Sequence, residues 1–190
     1  MNKKLEDIRN QIINEIKTSK LCQPWFIDEH LVVVEKFAEQ LCQLYPLANK
    51  DAVLLSVWFH DIGRADGHNK DHDVYGAEYA RKLLSKKAFD KKIINLVYEA
   101  CKAHCCETYK PQSLEAKILA TADALSHYSQ GFYLRIFQYW SQGMGYKKAR
   151  NKLTRKIERD YKDKIFFKEA KRALKPFYDA WKLIVEDINF

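Results

Sequence analysis

The chain is predicted to be an all-α protein, a bundle of about eight to ten helices. Three observations carry this. Apolar residues recur every three to four positions almost throughout, and strand-like alternation is nearly absent. Only 6 Gly and 4 Pro occur in 190 residues, too few for the many tight turns of a sandwich or barrel. Hydrophobic residues make up 47% and charged residues 31%, the balance of a chain that buries a core rather than one that stays disordered. The length is that of one domain, residues 1–190, with a core over about 25–130 and basic helices over about 131–190.

The elements follow in order. Ile8, Ile12, Ile13 and Ile16 step at helical spacing, and a loop with Pro24 follows. Asp28 or its immediate predecessors open a helix carrying Leu31, Val34, Ala38, Leu41 and Cys42, with Pro46 at or just past its end. Residues 50–61 form an apolar helix ending at Asp61. Gly63 and Gly67 break the pattern, and the polar stretch Gly63–Asp71 reads as a loop. Helix resumes near His72 and runs through Ala77, Ala80, Leu83 and Leu84. Asp90 caps a helix carrying Ile93, Ile94, Val97 and Cys101. After Pro111, Ser113 caps a helix from about 114 to 128, with Glu115 in the first turn where the helix dipole favours an acid. Gly131, Gly143 and Gly145 punctuate an amphipathic C-terminal third.

No uncharged apolar run approaches the roughly 20 residues that span a bilayer. The start, Met-Asn-Lys-Lys-Leu-Glu-Asp, has no apolar stretch behind it and is not a secretory leader. Five cysteines, an odd number without an export signal, point to reduced thiols and a cytoplasmic location. The cluster Cys101, His104, Cys105 and Cys106 lacks the second pair of a closed structural zinc site, so buried, inert thiols are expected there. Net charge is +8, and residues 146–175 supply it with thirteen Lys or Arg against four acids. Such a run is either a solvated helix face or an attraction for a polyanion, a phosphorylated metabolite or nucleic acid. No base-reading motif favours nucleic acid.

The informative feature is a set of polar residues on apolar stripes. His30 shares a face with Val33, Val34, Phe37 and Ala38; His60 follows Val53 and Val57; His104 follows Val97, Ala100 and Cys101. Asp61 follows Leu54, Val57 and Trp58, and Asp123 lies on the stripe of Ala116, Leu119 and Ala120. A lone buried histidine is usually structural, but a carboxylate on an apolar stripe is costly unless paired or metal-bound. Neighbouring helical side chains diverge by about 100°, yet His60 and Asp61 sit at a helix end, where both can converge. Imidazole with carboxylate suits a divalent first-row ion better than calcium.

His30, then His60-Asp61, then Asp123 resembles the signature of the HD-domain metal-dependent phosphohydrolase superfamily. Phe59-His60-Asp61-Ile62-Gly63-Arg64 is similar to the family's apolar-HD-apolar-Gly-basic string, and the run from Glu115 to Leu125 is similar to its final metal helix. His72-x3-Gly76-Ala77 and His104 resemble the further positions of members with two ions. The resemblance covers roughly residues 25–130 and implies an all-α HD-domain helical bundle that hydrolyses a phosphate ester or anhydride. It implies that His30, His60, Asp61 and Asp123 hold one ion and that Asp61 bridges to a second held by His72 and His104. It also implies that Asp61 takes the proton of an ion-activated water and that Arg64 meets the substrate phosphate. The expected cofactor is one or two divalent transition ions, Fe, Mn, Co, Ni or Zn. The expected partner is a small phosphorylated substrate, nucleotide-like, with no membrane.

The pattern departs from the family in places. The acidic pair that follows HD in some members has only Asp66 near it, and the tandem histidines of cyclic-dinucleotide phosphodiesterases are here His104-Cys105, with no Gly-Tyr-Pro motif. Four further residues have both a substrate reading and a bland one. Lys102 (with Lys110) beside His104 reads as a phosphate contact or as solubility. His68 in the loop reads as a leaving-group acid or a surface residue, and His127 as a neighbour of the site or a structural histidine. The aromatic run 132–146 reads as core packing or as a stacking surface for a base. The alternatives to an enzyme are a non-catalytic metal- or nucleotide-binding sensor and a nucleic-acid binder using the basic helices.

Overall fold

A computed structural model describes residues 3–129 and 131–186. Met1, Asn2, Gln130 and residues 187–190, which belong to the N-terminal reading and to the domain expected over 1–190, lie outside the described residues. Among these the chain forms α-helices and no strand. They are α1 (Lys3–Thr18), α2 (Val32–Leu44), α3 (Lys50–Phe59), α4 (Ile62–Ala65), α5 (His72–Lys86), α6 (Lys91–Ala103), α7 (Leu114–His127), α8 (Phe132–Met144), α9 (Tyr146–Asp163) and α10 (Lys168–Val185). A π-helical turn, Ile27–Leu31, leads into α2. No helix among the described residues is long and apolar enough to cross a membrane.

Two helices form the centre. Every residue of α3 from Ala52 to Phe59 is buried, and α7 is buried on nearly all sides. A helix apolar all round belongs inside, and α7 accordingly packs against α2, α3, α6, α8, α9 and α10. Each fully buried side chain such as Val57 or Leu119 contributes about 1.5–3 kcal/mol. The expected caps form: Asp90 accepts from Lys92 N at 2.7 Å and Ser113 Oγ from Ala116 N at 3.1 Å. Glu115 does more than complement the dipole of α7. Its buried carboxylate accepts from Asn49 N at 2.7 Å and ties the start of α3 to the start of α7.

The stretch Gly63–Asp71 is not entirely loop, because Ile62–Ala65 makes one helical turn. Two glycines let α5 close on this segment. A Cβ on Gly63 would stand 2.8 Å from Cα of His72, and one on Gly76 would stand 2.5 Å from the Phe59 carbonyl oxygen. Both are backbone atoms that cannot step aside, so the approach of α5 to the end of α3 requires glycine at both positions. The C-terminal third is not merely a solvated face either. In α9 the residues Ala149, Leu153, Ile157 and Asp160 are buried, and the helix packs on α8, α10 and α7.

Candidate metal centre

Helix ends bring the polar residues together. His60 caps α3 and Asp61 opens α4, so the two neighbours escape the divergence of a mid-helix pair. His72 is the first residue of α5, His104 caps α6, and Asp123 and His127 lie one turn apart on α7. His30 arrives on the π-helical turn. All of them are buried.

Asp61 stands between two groups of imidazoles. Its Oδ2 lies 3.5 Å from His30 Nε2 and 3.8 Å from His60 Nε2, and Asp123 Oδ1 repeats the same two distances, 3.5 and 3.8 Å. The other oxygen, Oδ1, lies 3.2 Å from His72 Nε2 and 3.7 Å from His104 Nε2. Ligand atoms each about 2.1 Å from a tetrahedral ion stand about 3.4 Å apart, so both groups have the separations of a donor shell. Donor atoms of His30, His60 and Asp61 lie within 4.8 Å of one another, as do those of His72, His104 and Cys105.

The tautomers point the same way. Ser126 Oγ donates to Asp123 O at 2.7 Å, so at 3.0 Å from His30 Nδ1 it can only accept, and Nδ1 carries the proton. His60 Nδ1 donates to Val57 O and His104 Nδ1 to Cys101 O, each at 2.6 Å. Arg64 Nη2 donates to His72 Nε2 at 2.9 Å. The neutral rings of His30 and His60 therefore aim Nε2 lone pairs inward, the form in which histidine binds metal. Nε2 of His30 and of His60 is buried without a hydrogen-bond partner. An orphaned buried nitrogen is costly, and a divalent ion would satisfy it.

Electrostatics follow from burial and from the neighbours. Burial lowers the His30 imidazole and takes His60 down to about 3, so both are neutral. Burial would raise the Asp61 carboxyl, but Arg64, His60 and His72 hold it well below the usual carboxylate range. Asp123 is likewise held low, against burial, by His127 and Lys164. Burial opposes a charged His104, yet Cys105 and Asp61 carry it up to about 10, while the imidazoles of His104 and His72 hold the Cys105 thiol well below its ordinary value. Cys105 is therefore not the inert thiol expected. Its Sγ lies 3.4 Å from Nε2 of both His72 and His104.

Part of the centre, Asp61, His72, His104 and Asp123, lines the floor of a cleft of about 1570 Å³. Arg64 lines it, with Nε 2.9 Å from Asp61 Oδ1. His127 lines it too, its Nε2 3.1 Å from Asp123 Oδ1 and its Nδ1 2.8 Å from Asp160 Oδ2. Two substrate candidates fall elsewhere. His68 stacks on Tyr75 at 4.1 Å and pairs at 3.3 Å with Asp71, which lines the cleft, but is not itself part of the lining. Lys102 lies over the Tyr109 ring at 4.1 Å, also off the lining, and Lys110 donates to Cys106 O. The aromatic run divides. Tyr133 is core and donates to Asp160 at 3.0 Å, while Phe132, Tyr139 and Trp140 line the cleft.

Sequence reasoning missed Asp160 and Lys164. The buried ammonium of Lys164 donates to Asp123 Oδ2, and Asp160 accepts from Tyr133 while pairing with His127 and Lys156. Asp160 continues the stripe Ala149, Leu153, Ile157, but Lys156 and Lys164 at i−4 and i+4 give it the pattern of a solvated helical ion pair. Lys164 continues it by one more turn.

Fold and site together define an all-α protein with a buried His/Asp centre suited to divalent transition ions. Residues 27–128 match the family model of the HD domain. Over 110 residues the chain is 31% identical to a tRNA (cytidine(56)-2'-O)-methyltransferase of Picrophilus torridus, a match that spans 52% of this chain and only 31% of that protein. The fold is similar, with a TM-score of 0.67, to the crystal structure of a predicted HD superfamily hydrolase from an uncultured Thermotogales bacterium. That likeness covers 95% of this chain and 88% of the other at 22% identity, and it speaks for the fold. The chain belongs to the HD-domain family, a superfamily of metal-dependent hydrolases.

Proposed function

We propose that the protein is a metal-dependent phosphohydrolase that cleaves a phosphate ester or anhydride of a small nucleotide-like substrate. The observation that carries this reading is the division of Asp61, one oxygen toward His30 and His60 and the other toward His72 and His104, on the floor of a cleft that Arg64 lines. In this reading His30, His60, Asp61 and Asp123 hold one divalent ion. Asp61, His72 and His104 hold a second, with the Cys105 thiolate beside it. Fe, Mn, Co, Ni and Zn all accept such donors. Ions of this kind supply Lewis-acid charge and a water activated for attack on phosphorus.

The chain's own residues supply the rest. The Arg64 guanidinium, held through Nε and Nη2 by Asp61 and His72, keeps its Nη1 protons and the second Nη2 proton to donate to phosphoryl oxygens. The Asp61 carboxylate is placed to orient the attacking water, whose proton passes to solvent in the cleft. As the water oxygen bonds to phosphorus, the bond to the leaving oxygen breaks, its electron pair stays on that oxygen, and solvent in the cleft supplies the proton it takes. Ser126 fixes the ring of His30, and Lys164 fixes the carboxylate of Asp123. These supports keep the donors oriented without reorganisation during the reaction.

The test combines elemental analysis of the purified chain with phosphate release from a panel of nucleotides under added metals. The expected result is about one to two transition ions per chain and turnover that is lost, together with the metal, in His60→Ala and Asp61→Ala. A metal-free wild type, or turnover unchanged in Asp61→Ala, overturns the reading.

A further inference from the structure

The basic segment of the sequence has a directed face. On α9 the residues Lys152, Arg155, Lys156 and Arg159 recur at i, i+3, i+4 and i+7, which puts them on one side of the helix, and all four line the cleft whose floor holds Asp61, His104 and Asp123. Their charges are unequally compensated. Lys156 pairs with Asp160 at 3.0 Å and Arg159 with Glu107. Lys152 lies over the Trp140 ring at 4.1 Å, and Arg155 is exposed. Among the described residues neither Lys152 nor Arg155 has a carboxylate within ion-pair distance. Partial burial and the charges of Arg64, Lys156 and Arg155 all push the Lys152 ammonium down, so cations from both walls crowd one space. Crowding of like charge costs stability and is relieved when an anion enters between them.

From this juxtaposition we propose that α9 is a second phosphate subsite, facing the metal centre across the cleft, and that the substrate is a polyphosphorylated small molecule rather than a monophosphate. The proposal rests on the phosphohydrolase reading for the end of the substrate that reacts. The stripe from Lys152 to Arg159 is about 10 Å long at 1.5 Å per residue, more than one phosphate can cover. A phosphate near Arg64 leaves the following phosphates to run along α9, with the exposed Tyr139 offering a flat surface to an aromatic base. The concave setting favours a small molecule over nucleic acid. Small ligands take clefts, whereas this stripe is a wall of the cleft and not a protruding face.

The test is calorimetric binding of the non-hydrolysable β,γ-methylene analogue of adenosine triphosphate, against adenosine monophosphate, to the purified full chain. The analogue is expected to bind at least about tenfold more tightly, about 1.4 kcal/mol. The double variant Lys152→Gln/Arg155→Gln is expected to narrow that gap to less than about threefold. Lys147→Gln/Lys148→Gln removes the same charge from exposed positions of α9 outside the cleft and is expected to leave the gap intact. Circular dichroism checks that each variant is folded. Equal affinity for the two nucleotides, or equal narrowing by both double variants, overturns the proposal. So does a single-stranded oligouridylate that binds more tightly than the analogue and displaces it, which assigns the stripe to nucleic acid. Selective binding of the analogue without turnover of any phosphate compound sinks the hydrolase reading and leaves the subsite standing.

Discussion

Lys164 and Asp123, forty-one residues apart, form a fully buried ion pair in which the ammonium takes Oδ2 and leaves Oδ1 to face His30, His60 and His127. Burial opposes the charge of Lys164, and Asp123 with Asp160 restores it, so the ammonium is held above its ordinary value. Removing one partner of a buried pair strands the other and costs about 3–5 kcal/mol. Lys164→Met is therefore expected to lose about that much stability in chelator-treated protein, measured by urea denaturation. The loss is expected to be smaller with added manganese or zinc, whose charge replaces the ammonium as partner of Asp123. An equal loss with and without metal would separate Asp123 from the ion.

The glycines give a second prediction. Gly76→Ala forces a Cβ against the Phe59 carbonyl, and α5 must move off the end of α3. The expected cost is about 1–3 kcal/mol, with weaker metal retention because His60 and His72 ride on those two helices. Gly143→Ala is the contrast. It lies within α8 with nothing near its Cβ, so it is expected to stabilise by about 0.5–1 kcal/mol. Thermal melts of both variants check the pair.

Acid sensitivity is the third. Burial takes His60 down to about 3, whereas an imidazole in the unfolded chain takes its proton near 6.5. The unfolded chain binds more protons between those values, so stability falls as the pH drops through that window. One such group accounts for roughly 4–5 kcal/mol at the acid end. Asp61 and Asp123, held low, act in the same sense. Their contribution is present above about pH 4 and is lost on further acidification. His104, carried to about 10, has its full effect below 6.5 and loses it only as the pH rises toward 10. Chelator-treated protein is thus expected to show a melting temperature that falls steadily from about pH 7 to about pH 4. A flat profile would contradict neutral buried imidazoles.

Cys105 supplies a spectroscopic prediction. With Sγ 3.4 Å from Nε2 of both His72 and His104, it is placed to share an ion with them. Cobalt-loaded wild type is expected to show thiolate-to-cobalt charge-transfer absorption in the near ultraviolet. Cys105→Ser should abolish the band. Cys101→Ser should keep it, because that thiol is turned to the Ser56 carbonyl at 3.6 Å. A band that survives Cys105→Ser would exclude the thiol from the ligand set.

Much of the centre was legible along the chain because its residues violate a local rule. His30, His60, Asp61, His104 and Asp123 sit where a helical stripe should be apolar, and that conflict is visible without coordinates. Asp160 does not stand out in the same way, because Lys156 and Lys164 one turn to either side supply a local partner for its charge. Helix positions and the caps Asp90 and Ser113 followed from local hydrogen bonding and periodicity, which depend on near neighbours alone. Four things depended on packing. The pairing of Lys164 with Asp123 joins residues forty-one apart. The place of His68 and Lys102 beside the lining residues Asp71 and Tyr109, and not in the lining, is set by those contacts. The activation of Cys105 needs α5 and α6 side by side. The assignment of the basic stripe on α9 to a cleft wall needs that helix folded back beside α7. Periodicity says which face of a helix is buried, because burial is a property of one helix in its local sequence. Which charge answers a buried charge is a property of two elements meeting, and only the tertiary fold decides that.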